Sequence, residues 1–521
     1  MYDYIIIGAG SAGCVLANRL SANPQHRVLL IEAGGPDKRQ EIHIPAAFSK
    51  LFKSPEDWNY NTEPSPELHN RQIYWPRGKV LGGSSSMNAM MYVRGHRHVY
   101  DQWAQSGNEE WGFDDVLPYF KKLENYEGGA SEWHGVGGPL NVSFQRSTNP
   151  LTHAFIEAGV ETGMARNPNC NGASQDGIGL TPVNQKDGKR HSAAVAYLTP
   201  ILKRPNLMVI TQAQATRVLF DGNRAVGVAY IKEGATHEAR AEREVILCGG
   251  AINSPQLLML SGIGPAGHLQ SLGITPLVDL QGVGQNLQDH LSCGVMYACT
   301  QPITLAGAEK IGSVLNFLLF KKGLLTSNVG EGVAFVRTQP NLPAPDIELI
   351  CAPTYLAAHG AENPPGHGFT IGAILLQPRS RGWLHLRSAN PTDAPMIVAN
   401  YLSEHEDLQT LLAGVKLARQ VAMTQAFAPY RGDEFWPGAA VQGDEALIDY
   451  IRRRSETLYH PVGTCKMGND PMAVVDAHLR VYGVTGLRVV DASVMPIINN
   501  GHTHAPIVMI AERAADFLIR V

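Results

Sequence analysis

A histidine fixed on irregular backbone suits general-base work, because its pKa lies near working pH. Tyr459-His460-Pro461-Val462-Gly463-Thr464-Cys465 supplies one: the proline holds His460 extended, and Gly463 stops the chain from continuing as a helix. A second candidate lies in His502-Thr503-His504-Ala505-Pro506. It precedes a helical pattern in which Ile507, Ile510, Ala511, Ala514, Phe517 and Leu518 share one stripe. Pro506 suits the first helical position, where a missing N–H costs nothing. The helix would then present free N–H groups and the positive end of its dipole beside His504, close to reacting atoms. With 19 histidines in the chain, most must be surface or hydrogen-bonded core residues. Other chemistries lack their residues. There is no HExxH spacing, and His502 and His504, two apart, do not share a helix face, so no metal site is expected. No GxSxG elbow offers a serine nucleophile. Arg452-Arg453-Arg454 reads as a solvated helix face.

A third pattern is built to bind. Tyr4-Ile5-Ile6-Ile7 is a short, wholly apolar run, as a buried parallel strand requires, and Gly8-Ala9-Gly10-Ser11-Ala12-Gly13 follows it. A helical stretch with Val15, Leu16 and Leu20 comes next, then Val28-Leu29-Leu30-Ile31 ending at Glu32. This is a βαβ unit with a GxGxxG turn, whose helix end attracts a pyrophosphate while Glu32 accepts from a ribose. The motif by itself does not separate FAD from NAD. Gly262-Ile263-Gly264-Pro265-Ala266-Gly267 matches the same pattern but follows a helical stretch, Pro255 to Leu260, and reads as a helix-ending turn. Gly282-Val283-Gly284 lacks the third glycine. With no second dinucleotide fold, one tightly held cofactor is favoured.

The elements that must position these groups follow. Residues 206–230 predict consecutive strands around an Asp221-Gly222-Asn223 turn, and Glu244 to Ala251 a buried strand entering a glycine turn. Residues 346–390 predict an antiparallel sheet, 403–425 and 443–454 helices, Arg488 to Asp491 a last strand, and Pro506 to Leu518 a last helix. The fold class expected is mixed α/β. A Rossmann-like cofactor domain is assembled from residues 1–155, 190–305 and 455–521. A substrate domain with a mostly antiparallel sheet and helices, residues 156–189 and 306–454, is inserted into it.

The 521 residues suffice for a large core. Charged residues are 17%, and the net charge of −4 excludes a nucleic-acid binder that works by bulk basicity. The apolar stretch Ile311 to Phe320 is interrupted by Gly312, Ser313 and Asn316 and is far short of the ~20 residues of a membrane span. The opening residues lack a secretion-signal pattern, and seven cysteines without a CxxC pair suggest reduced thiols. A cytoplasmic location is expected, with peripheral membrane contact left open.

Two longer motifs carry a resemblance over essentially the whole chain. Gly78-Lys-Val-Leu-Gly-Gly-Ser-Ser-Ser-Met-Asn88, continuing through Tyr92, Gly95 and Asp101, and Gly250-Ala-Ile-Asn-Ser-Pro-Gln-Leu-Leu-Met-Leu-Ser-Gly-Ile-Gly264 resemble the two signatures of the glucose–methanol–choline family of FAD-dependent oxidoreductases. The segment from Tyr459 through Asp491-Ala492-Ser493 to Pro506 is similar to its ending. The resemblance implies that Gly8, Gly10, Ser11, Ala12, Gly13, Glu32 and Ala33 bind the ADP half of FAD. It implies that Gly83, Ser84, Asn88, Ala89 and Met91 run along the flavin and that Ala215 contacts the adenine. Asp491 and Ala492 would hold the pyrophosphate and ribityl region, with Ala505 and Pro506 at the helix entry. His460 would be the principal base and His504 the second active-site residue. Met87 stands where some members carry the histidine that bonds FAD, so non-covalent FAD is expected. Gly501-His502-Thr503-His504-Ala505-Pro506 stands where many bacterial members read Gly-Asn-Thr-Asn-Ala-Pro, which leaves substrate preference open.

The activity so implied is oxidation of a primary alcohol, aliphatic or aromatic, to its aldehyde. The partners are a small-molecule alcohol and an electron acceptor, either a quinone or dioxygen. A flavin-containing lyase without net redox is the rival expectation.

Overall fold

The computed structural model describes residues 1–360 and 362–519. Strand Tyr2–Ile7 lies between Val28–Ile31 and Ala235–Leu247, in parallel with both. Ile5, Ile6, Val28, Leu29 and Leu30 are fully buried. A parallel strand covered on both faces has no polar side to offer, hence the unbroken apolar runs. The full order is Leu207–Ile210, Val28–Ile31, Tyr2–Ile7, Ala235–Leu247, Arg224–Lys232, Ala213–Asp221, and Leu487–Val489 also pairs with Ala235–Leu247. The long strand Ala235–Leu247 does two jobs. Its first half pairs antiparallel with Arg224–Lys232 and its second half parallel with Tyr2–Ile7 and Leu487–Val489. Segments hundreds of residues apart thus form one cofactor-type sheet.

Helix Ser11–Leu20 covers this sheet and packs against the last helix, His504–Ile519. A partly buried ion pair ties them: Arg19 Nη2 lies 2.6 Å from Oε1 of the fully buried Glu512, which also accepts from Tyr197 OH at 2.9 Å. The final helix begins at His504, so Pro506 is its third residue, not its first. The proline is tolerated there because the first four N–H groups have no intrahelical partner anyway.

The second sheet is antiparallel, in the order Arg431–Trp436, Leu291–Cys299, Gly368–Leu375, Ile347–Ala352, Gly332–Val336, Gly177–Leu180. Helix His405–Ala422 packs on one face. Along Leu291–Cys299 the period of two is clean: Cys293, Val295 and Tyr297 join the main core, while Ser292, Gly294 and Met296 line a cavity. Strand Leu291–Cys299 therefore belongs to this sheet, although the boundary expected at residue 305 put it with the cofactor segments. Burial of its alternate side chains against helix His405–Ala422, which an inspection of local apolar runs does not reveal, fixes its place.

Candidate active site

The cavity between the two sheets has a volume of about 710 Å³. One end is the glycine turn after the first strand. Gly8 has φ +100°, a value a side chain strains to adopt, and a Cβ there would lie 2.5 Å from Cys248 O. Gly13 does not line the cavity. It lets the helix close on the turn, since a Cβ would sit 1.9 Å from Gly8 O. Gly10 does line it, and a Cβ there would meet only Cys248 O, at 4.0 Å, so a side chain would occupy cavity space. Ser11 and Ala12 open the helix, and no side chain caps its amino end. Glu32 Oε2 accepts from Ala9 N and its Oε1 from Gly34 N, both at 2.8 Å. Burial raises its pKa to about 7 against the pull of those N–H groups. Each carboxylate oxygen keeps a lone pair for a ribose hydroxyl.

Ala33 and Ala215 line the same end, and Gly83, Ser84, Asn88, Ala89 and Met91 run along the cavity with Met87. Asp491 and Ala492 also line it. Asp491 is already held by protein donors, Oδ2 by Gly250 N (2.8 Å) and Ser254 Oγ (2.5 Å), and Oδ1 by Ser493 N (2.8 Å) and Oγ (2.5 Å). Ala505 and Pro506 do not line the cavity; they are buried within the first turn of the last helix.

His460 and His504 both line the cavity, but in different surroundings. His504 Nδ1 lies 2.9 Å from Ser11 Oγ, beside the glycine turn. Its Nε2 is buried without a protein partner among the described residues, and burial lowers its pKa to about 4. The imidazole next to His460 is His502, their ring centroids 4.9 Å apart and their planes at 88°. His502, not the expected His504, is therefore the imidazole packed beside His460, and His504 lies beside Ser11 at the glycine turn. The cause is the helix start at His504. Thr503 is a bend just before it, and docking on helix Ser11–Leu20 carries His504 to Ser11.

Three more residues complete the centre and were not found from sequence. His290, fully buried behind His460, places Nδ1 2.9 Å from His460 Nδ1, and its Nε2 lies 3.1 Å from Leu376 O. A carbonyl only accepts, so His290 Nε2 carries the proton. Burial keeps the ring neutral by lowering its pKa to about 3, which makes Nδ1 an acceptor. His460 must then donate from Nδ1, leaving the lone pair on Nε2 for the cavity. Asp289 Oδ1 accepts from His460 N at 2.7 Å and fixes its backbone, while Asp289 Oδ2 accepts from Thr457 Oγ1 at 2.6 Å and from Tyr401 OH. Burial raises the Asp289 pKa to about 6. Glu348, fully buried on the second sheet, accepts from His502 Nε2 at 2.9 Å. Burial, reinforced by the neighbouring His502, His290 and Arg77, drives the pKa of His460 well below the usual histidine value. The only local sign of these partners was the His502-Thr503-His504 pair itself; Asp289-His290 and Glu348 have no spacing pattern, because they reach the site from a loop and a strand distant in sequence.

The donor set suits a flavin dinucleotide: an uncapped helix end and glycine turn for phosphates, a carboxylate for a ribose, an unpartnered imidazole, and a long groove ending at two imidazoles. Comparisons with known proteins agree. Two family models, both described as GMC oxidoreductase, match residues 2–292 and 378–511. The chain is 46% identical over 529 residues to an alcohol dehydrogenase (acceptor) of Pseudomonas putida, covering 100% of this chain and 96% of that one. It is 47% identical over 534 residues to the mitochondrial choline dehydrogenase of Mus musculus, covering 99% and 89%. Among solved structures, pyridoxine 4-oxidase from Mesorbium loti superposes with a TM-score of 0.92 at 33% identity, covering 100% of both chains.

Proposed function

Because this chain belongs to the GMC oxidoreductases, FAD-dependent enzymes acting on alcohols, we propose that it oxidises an uncharged primary alcohol with an apolar tail to the aldehyde. The observation that carries this reading is Arg454, whose guanidinium sits 4.0 Å over the Trp436 ring in the cavity wall. Tryptophan offers a quaternary ammonium its best aromatic face, and this one already holds a cation. Nor does a free carboxylate stand ready for one. Of the cavity carboxylates, Glu456 pairs with Arg71 at 2.5 Å and His359 at 3.2 Å, Glu309 pairs with Lys50, and Glu32 and Asp491 accept from backbone and hydroxyl donors. Phe48, Phe52, Val329, Ile350 and Leu356 leave an apolar wall for an alkyl or aryl tail.

His460 Nε2 takes the hydroxyl proton of the bound alcohol. His502, held by Glu348, stands beside His460 and packs against the bound alcohol, which keeps the carbon in place. Base catalysis of this kind is worth roughly two to four orders of magnitude in rate. Bound FAD supplies the acceptor for the carbon-bound hydrogen. Met87 offers a thioether where a bonding histidine would be needed, so FAD is held without a covalent link. The electrons pass on to a quinone-type acceptor or to dioxygen. The lyase alternative has no support: the relatives and the solved structure named above are dehydrogenases and an oxidase.

Anaerobic mixing tests the reading. Neutral 1-alkanols or benzyl alcohol should bleach the flavin at least tenfold faster than choline at equal concentration, since one desolvated cation–π contact of ~2 kcal/mol is worth more than that factor. Faster bleaching by choline would overturn it. Peroxide yield against dye reduction then separates the two acceptors.

A further inference from the structure

Residues Ile311–Phe320 form a ten-residue helix whose outward face is apolar, while Phe317 is buried. Ile311, Leu315, Leu318 and Leu319 share one face and are 79%, 50%, 57% and 70% exposed, and Phe320 beside them is 63% exposed. The polar side chains turn inward. Ser313 Oγ donates to Gly307 O at 3.0 Å, and Asn316 lies against Gly323, where a Cβ would come within 2.6 Å of its Nδ2. A contiguous apolar patch of this kind marks an interaction surface.

Charge and position say what covers it. Between residues 305 and 325 the chain carries three lysines, Lys310, Lys321 and Lys322, and a single carboxylate, Glu309, which Lys50 neutralises. A basic border around an apolar face matches an anionic bilayer. A second copy fits poorly, because a two-fold contact lays the patch on itself and brings like-charged lysines together. The helix spans only ~15 Å against a hydrocarbon core of ~30 Å, so it lies in the interface and does not cross. Among the described residues no helix is long and apolar enough to cross a membrane. Leu305, Ala306, Ala308 and Glu309 just before it, and Leu325 just after it, line the active-site cavity.

We propose that helix Ile311–Phe320 docks the protein on an anionic lipid surface, apolar face down, with the rim of the cavity held at the membrane. An alcohol with an apolar tail would then reach the site from the lipid phase.

The test is flotation of the purified FAD-loaded protein with phosphatidylcholine vesicles, with and without phosphatidylglycerol. The protein should float with the anionic vesicles, and high salt should weaken this. The variant Leu315→Ser/Leu318→Ser/Leu319→Ser should lose binding about tenfold or more. Its flavin content and its turnover of a short water-soluble alcohol should stay unchanged, which shows that it is folded. Lys310→Gln/Lys321→Gln/Lys322→Gln should weaken binding to anionic vesicles only. No flotation, flotation undiminished in the leucine variant, or a dimer that this variant dissolves while vesicles bind neither form would overturn the proposal. Flotation is read without turnover, so its failure leaves the alcohol-oxidation reading standing.

Discussion

His290 and His460 face each other through their Nδ1 atoms at 2.9 Å, with His290 anchored in turn on Leu376 O. Two nitrogens of like kind can make this contact only if one donates and the other accepts. The neutral, carbonyl-bound ring is the acceptor, so the proton of His460 stays on the side away from the cavity. His290 is thus a positioning residue for the base.

Removing it should cost turnover and spare binding. His290→Leu leaves the His460 Nδ1–H buried without a partner and lets the tautomer reverse. A fall in kcat of roughly one to two orders, with KM little changed, is expected by analogy with the loss of other orienting partners. Steady-state kinetics check this; a KM effect alone would assign His290 a packing role.

Removing the base itself has a sharper signature. His460→Ala should stay yellow and folded, while alcohol-driven flavin reduction in stopped flow falls about 10²- to 10⁴-fold. Reduction at the normal rate would remove His460 from the mechanism.

The two histidines of the last motif should separate. His502→Ala removes the imidazole beside His460 and should lower the reduction rate by about a hundredfold with FAD retained. His504→Ala removes the partner of Ser11 and should mainly weaken FAD retention, read as flavin lost on gel filtration. The opposite pattern would restore His504 to the reacting centre.

The pH profile follows from burial. The charged form of His460 is disfavoured, so its pKa lies well below 6.5 and the neutral base persists as pH falls through 6.5. The acid limb of kcat/KM for the alcohol should therefore fall below pH 6.5, with a plateau above it. A limb at or above 6.5 in the wild type would contradict the burial argument.

At the cofactor end, Glu32→Gln replaces an oxygen that accepts from Ala9 N or Gly34 N by an amide that donates. One buried N–H then loses its partner, a loss of about 1–3 kcal/mol. Thermal unfolding should drop in the FAD-free protein, and FAD affinity should fall with it.

Much of this molecule is local enough to be read from the chain. The first βαβ unit is legible because a parallel strand covered on both faces must be apolar throughout, and because the turn needs glycine at Gly8 and Gly13 for steric reasons. The acid at Glu32 follows at a spacing the unit dictates. The fixed setting of His460 is likewise written next to it, in Pro461 and Gly463. Which imidazole joins His460 is not. His502 and His504 have the same neighbours in sequence, and the choice is made by where helix His504–Ile519 begins and by its docking on Ser11–Leu20, 493 positions away. Asp289, His290 and Glu348 arrive on strands or loops with no pattern of their own, since a hydrogen bond across a cavity leaves no periodicity in either segment. The same holds for Ile311–Phe320. Its apolar composition is visible along the chain, but only tertiary packing turns Ser313 and Asn316 inward and leaves the leucines facing out.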